Sequence, residues 1–124
     1  MKLLLIEDDD EECVEYKKII ENNDNIKLVA ITNSSSVAIK YVNSYKPDGI
    51  ILDLELNNGE GSGIDFIENI KKQNIEKFPK IVVTTNIYSD SVYNFLHKNK
   101  VDFFSVYQRS TVRHTDAVTC IFPP

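Results

Sequence analysis

Pro47-Asp48-Gly49-Ile50-Ile51-Leu52-Asp53-Leu54 is the stretch that decides the fold. From Gly49 to Leu54 it is apolar except for one aspartate, and no other run in the chain is as strongly apolar. A run that is apolar at both odd and even positions suits a strand buried on both faces, the condition of a parallel sheet covered by helices. Pro47-Asp48 punctuates its entrance. The aspartate near its far end would stand at the rim of such a sheet.

Working outward, similar short apolar runs recur. Lys2–Ile6 and Ile26–Ile31 precede it, and Lys80–Thr84 (after Pro79) and Val101–Val106 follow. The segments between them carry helical signals. Asp9 or Asp10 caps a first helix with Val14, Tyr16, Ile19 and Ile20 on its apolar side, and Asn22–Asn25 end it. Asn33 and the serines cap a second, with Val37, Ala38, Tyr41, Val42 and Tyr45 at helical spacing. After the glycine-rich loop Asn57–Gly63, read as a flexible turn, a third carries Ile64, Phe66, Ile67 and Ile70. A fourth spans Ser89 to Lys98 with Val92, Phe95 and Leu96. Strict β-α alternation predicts an α/β fold: a doubly wound, five-stranded parallel sheet with helices on both faces. The chain reads as one domain over residues 1–124, with a core of 1–106 and an atypical tail of 107–124. That tail is polar and lacks a clear apolar stripe; Ala117, Val118, Ile121 and Phe122 are the residues from which a short last helix would be built.

With 124 residues, 42% of them apolar, the chain has the size and composition of one globular domain. A net charge of −5 argues against direct nucleic-acid binding, which depends on neutralising phosphates. Cys13 and Cys120 lie far apart in no metal-ligand spacing, so reduced thiols are expected. The N-terminus has no signal-peptide layout, and no segment has the length of a membrane span, so the expected location is the cytoplasm.

Chemistry concentrates at the strand ends. In an open doubly wound sheet, ligands bind beyond the carboxyl ends of the strands where strand order reverses. With the order 2-1-3-4-5, strands one and three are neighbours there. Glu7 and Asp8 end strand one and Asp53 lies near the end of strand three, so three carboxylates converge. Their repulsion calls for a cation, and hard oxygen ligands suit Mg²⁺. With Mg²⁺ in place a carboxylate becomes a competent phosphoryl acceptor.

Leu-Leu-Leu-Ile-Glu-Asp-Asp (3–9), Pro-Asp-Gly-Ile-Ile-Leu-Asp-Leu (47–54) and Ile-Val-Val-Thr-Thr (81–85), in this order and spacing, resemble the receiver domains of bacterial response regulators, chemotaxis-regulator-like in type. The resemblance covers about residues 1–106 and implies a flavodoxin-like three-layer sandwich. It implies that Asp53 is the phosphoacceptor and that Asp8, Asp53 and the backbone carbonyl of Glu55 ligate Mg²⁺, with Glu7 acting through water. Thr84, rather than Thr85, corresponds to the switch hydroxyl, and Phe104 to the aromatic residue that follows the switch. The implied role is a two-component signalling switch rather than an enzyme. Its expected partners are a sensor histidine kinase and an output domain or partner protein, a homodimer is a further available assembly, and neither nucleic acid nor membrane is bound directly.

Two features depart from the family pattern. The lysine that usually ends strand five is replaced by Tyr107, followed by Gln108, and a neutral phenol does not supply the same charge. The loop after Asp53, Glu-Leu-Asn-Asn-Gly-Glu-Gly-Ser-Gly, is slightly long and lacks the usual proline. Tyr107 keeps open a second function, a degenerate receiver that binds partners without phosphorylation. A hydrolase with an aspartyl nucleophile is a third; such enzymes commonly place a second aspartate two residues on, where this chain has Glu55. His97 and His114 have no partners at ligand spacing and are expected in surface or capping roles.

Overall fold

A computed structural model describes residues 1–73, 75, 77–85, 90–98 and 114–122, with Tyr93 described by its backbone alone. The elements are β1 (Lys2–Ile6), α1 (Asp10–Glu21), β2 (Lys27–Thr32), α2 (Ser35–Tyr45), β3 (Gly49–Asp53), α3 (Gly63–Lys71), β4 (Lys80–Thr84), α4 (Asp90–Lys98) and α5 (His114–Ile121). The described strands form one parallel sheet in the order β2-β1-β3-β4. This is the expected order as far as β4, and the sequence-predicted fifth strand, Val101–Val106, lies outside the described residues.

The apolar runs become strands because helices cover both of their faces. Side chains alternate along a strand, and the two rows of each strand enter two separate cores. Leu4, Ile6, Ile50, Leu52, Ile81 and Val83 meet α2, α3 and α4. Leu3, Leu5, Ile51 and Val82 meet α1 and α5. Every residue of β3 is buried, and each aliphatic side chain fully removed from water contributes about 1.5–3 kcal/mol.

The helix starts follow from local chemistry. Asp9 caps α1, its Oδ1 accepting from the Glu11 and Glu12 amides at 2.9 and 3.2 Å. Ser34 caps α2 through the Val37 amide, and Ser62 caps α3 through the Asp65 amide. α2 ends at Lys46 in the left-handed conformation, φ 49°.

The helix faces differ from the sequence expectation in places. Val14 of α1 is exposed while Cys13 packs beside Tyr16 and Ile20, and Tyr45 of α2 is exposed while Ser35 is buried with Ala38 and Val42. In the tail, the short helix for which the sequence offered residues is present. Ala117, Val118, Ile121 and Phe122 are all buried, and α5 packs on α1, β3 and β4. Gly49 makes room for it: a Cβ there would stand 2.2 Å from the Ile121 Cγ2.

Candidate functional site: an acidic cluster at the sheet rim

The carboxyl ends of β1, β3 and β4 carry the residues singled out in the sequence. The Glu7 amide donates to the Thr32 carbonyl at 3.0 Å, carrying the β1–β2 ladder one step past β1. Glu7 therefore extends the row of Leu3 and Leu5. Asp53 ends β3 in register with Thr84, the last residue of β4, and these two extend the rows of Ile51 and Val82. Strand alternation thus aims Glu7, Asp53 and Thr84 to one side of the rim. Asp8 follows Glu7 just before the α1 cap.

Glu7, Asp8 and Asp53 each place a carboxylate oxygen within 4.8 Å of the others. Glu7 is 4% exposed and Asp53 1%, whereas Asp8 is half-buried. At an effective dielectric of ~20, two ionised carboxylates at this spacing repel by on the order of 3 kcal/mol. The donor set is hard oxygen throughout. Its spread, up to 4.8 Å, slightly exceeds the roughly 4.2 Å between opposite ligands of one octahedral Mg²⁺, so the residues present fit an ion that some of them reach directly and others through water.

The surrounding backbone orients these acids. The Glu55 amide donates to Asp53 Oδ1 at 3.0 Å, an Asx-type turn that fixes the plane of the Asp53 carboxylate. The Asn58 amide donates to Asp8 Oδ2 at 2.9 Å across fifty positions of sequence. The Glu55 side chain accepts from Thr85 Oγ1 at 3.2 Å, and Thr84 is buried beside Asp53. Next to the acids, burial, and then the charges of Glu7 and Asp10, push the Cys13 thiol up to about 11, so it stays protonated at neutral pH. A cavity of about 380 Å³ lined by Val42, Lys46, Pro47, Ile75 and Pro79 opens at the opposite, amino edge of the sheet, away from these groups.

Sequence reasoning did not find Asn58, Thr85 as a partner of Glu55, or the attachment of the β3–α3 loop to the start of α2. Only the loop's unusual length signalled that last feature. The glycine-rich loop is closely packed rather than slack: a Cβ at Gly59 would stand 1.8 Å from the Asn33 carbonyl oxygen. His114 is half-buried and has partners. Its Nε2 lies 2.5 Å from Glu12 Oε2 and its ring meets Tyr16 edge-on at 4.7 Å. Phe104 and Tyr107 lie outside the described residues.

The family model described as a response regulator receiver domain matches residues 3–105. A protein-glutamate methylesterase/protein-glutamine glutaminase 2 of Shewanella oneidensis is 29% identical over 86 residues, covering 69% of this chain and 24% of that protein. The chain thus spans about a quarter of the length of that curated relative. Among solved structures, a DNA-binding response regulator of the LuxR family from Staphylococcus aureus superposes with a TM-score of 0.80 at 21% identity, covering 97% of this chain and 94% of that one. The response regulator domain of Thermotoga maritima CheB gives 0.74 at 18% identity, covering 97% and 87%. At these identities the structural likeness speaks for the fold.

Proposed function

The chain belongs to the response regulator receiver domain family, and on that premise we propose that it is a phosphoacceptor switch, phosphorylated on Asp53 by a histidine kinase with Mg²⁺. One observation carries this: a nearly fully buried aspartate at the end of the central strand has a carboxylate oxygen within 4.8 Å of Glu7 and Asp8. Asp8, Asp53 and the Glu55 carbonyl would hold the ion directly and Glu7 through water. Mg²⁺ held there would offset the repulsion between the acceptor carboxylate and an incoming phosphoryl group.

The chain's own residues do the rest. The Glu55 amide sets the direction of the Asp53 carboxylate, one oxygen of which attacks the phosphorus of a phosphohistidine. The new P–O bond forms as the P–N bond breaks, and the departing imidazole takes up a proton. Thr84, in register with Asp53, hydrogen-bonds the transferred phosphoryl group and shifts a two-state equilibrium toward the signalling form. In this role the protein is substrate and switch rather than enzyme. Its setting is the cytoplasm, with a sensor histidine kinase as donor and an output domain or partner protein as reader.

The test is intact mass after incubation with acetyl phosphate and Mg²⁺, with Asp53→Asn as control. The expected result is the mass gain of one phosphoryl group in the wild type alone; no Asp53-dependent gain refutes it. Tyr107 in the family's lysine position favours one alternative, a degenerate receiver that docks without phosphorylation. Partner binding that is unchanged by Asp53→Asn is the result that alternative requires.

A further inference from the structure

We propose that Glu60 is a positioning residue for the cation site, latching the β3–α3 loop onto the start of α2 and so holding the Asn58 amide against Asp8. The proposal rests on reading Glu7, Asp8 and Asp53 as a divalent-cation site.

The latch is built from a residue that α2 lacks. The first turn of α2 contains no acidic side chain, although a carboxylate at a helix N-terminus is favoured by the unpaired amides and the helix dipole. Glu60 supplies one from another loop. Its Oε2 accepts from Ser34 Oγ at 2.5 Å, Ser36 Oγ at 2.7 Å and the Ser36 amide at 3.3 Å. These bonds to the ionised form hold the Glu60 carboxyl below its usual range, the Ser34 bond contributing most. The main chain joins as well, with the Ser35 amide donating to the Glu60 carbonyl at 2.9 Å and the Glu60 amide to the Asn33 carbonyl at 3.0 Å. Gly59 lies flush on the same turn, where any Cβ would meet the Asn33 carbonyl.

Two residues before Glu60, the Asn58 amide reaches Asp8 Oδ2 at 2.9 Å. Three loops are therefore tied in series: the start of α2 holds Glu60, the Glu60 backbone holds Asn58, and Asn58 holds Asp8. An amide on one carboxylate oxygen fixes the direction of the other, which is how outer partners tune a metal ligand. The latch also explains how a loop longer than the family norm stays in place over the acids.

The test is calorimetric titration of the 124-residue chain with Mg²⁺ and with Mn²⁺. The variants are Glu60→Ala, Glu60→Gln, Asp8→Asn and Asp48→Asn, with thermal unfolding of each recorded separately. Asp48 is a suitable control because it ties the Lys2 amide at the far edge of the sheet. The expected result is roughly 3- to 10-fold weaker binding for Glu60→Ala, a smaller loss for Glu60→Gln, and wild-type affinity for Asp48→Asn. Glutamine loses the charge but keeps an acceptor oxygen, so equal losses in Gln and Ala would assign the effect to charge and overturn the latch. Unchanged affinity in Glu60→Ala overturns it too. Should Glu60→Ala not fold, Ser36→Ala removes one side-chain donor and is read in the same way. A wild type that binds neither ion, or an Asp8→Asn that binds as well as wild type, defeats the cation-site reading itself.

Discussion

Gly63→Ala should destabilise the protein, although alanine is the better helix former. Gly63 is the first residue of α3, and a Cβ there would stand 2.6 Å from the Asp53 carbonyl oxygen, 2.7 Å from Leu54 Cα and 3.0 Å from Leu54 Cδ2. Ordinary contacts begin near 3.4 Å, so helix and strand end must part by several tenths of an ångström. Neither side yields easily. Phe66, Ile67 and Ile70 pin the helix in the core, and the strand end is tied to β4, Asp53 in register with Thr84 and the Leu54 amide donating to the Thr84 carbonyl at 3.2 Å. Overpacking of this kind costs about 1–3 kcal/mol. The bond from the Gly63 amide to the Leu54 carbonyl, 3.1 Å, stretches or breaks, for about 0.5–1.5 kcal/mol more. Alanine's helix propensity returns at most about 1 kcal/mol, and less at a first position. The net loss is about 1–3 kcal/mol, which lowers the urea midpoint by on the order of 1 M. Urea unfolding followed by circular dichroism measures it. A variant as stable as the wild type would refute the close approach. Because the displaced atoms belong to Asp53 and Leu54, phosphoryl uptake from acetyl phosphate should slow as well; an unchanged rate in a destabilised variant would show that the helix had moved and the strand end had not.

Ile121→Ala should cost about 2–5 kcal/mol in the same assay, because the side chain is fully buried against β3 through Gly49; a loss under about 0.5 kcal/mol would mean that α5 is not docked. Acid should weaken the fold through two carboxyls held below their usual range, Asp48 chiefly by the Lys2 amide and Glu60 chiefly by the Ser34 hydroxyl. A folded value below the unfolded one gives stability that is fully present above the unfolded pKa and is lost as pH falls through the folded one. The gap in urea midpoint between wild type and Asp48→Asn should therefore be constant at neutral pH and close below about pH 4; a gap that widens on acidification contradicts the assignment.

The four described strands were legible because their cause is local. β1 and β4 have the bounds that their apolar runs indicate, since a strand buried on both faces needs nothing else to mark it. The acids were legible for a related reason: Glu7, Asp8 and Asp53 sit at strand ends, and sheet order brings strand ends together whatever the loops do. Helix faces were less so. In α1 the apolar residues are too sparse to define one stripe, and Cys13 took the place that Val14 was expected to fill. The tail was legible only in part: its few apolar residues pointed to a short helix, but that Ala117, Val118 and Ile121 are buried against β3, β4 and α1 depends on neighbours far away in sequence.

The loop after Asp53 shows why length and glycine content are ambiguous in sequence. Three glycines in five positions, 59, 61 and 63, suggested slack. In the fold, Gly59 and Gly63 are places where another backbone comes too close for a side chain, and only Gly61, at φ 75°, needs glycine for its conformation. Close approach and flexibility use the same residue, and only the neighbour tells them apart. That neighbour lies 26 positions away for Gly59, at Asn33 in the β2–α2 turn, and no periodicity connects the two. The same holds for Glu60, which follows no helical or strand spacing and whose partners, Ser34 and Ser36, read on their own as an ordinary helix start. What positions the acids is therefore written in pairs between loops. If those pairs set the geometry at Asp8, variation in this loop among receiver domains should tune cation affinity without touching a single ligand.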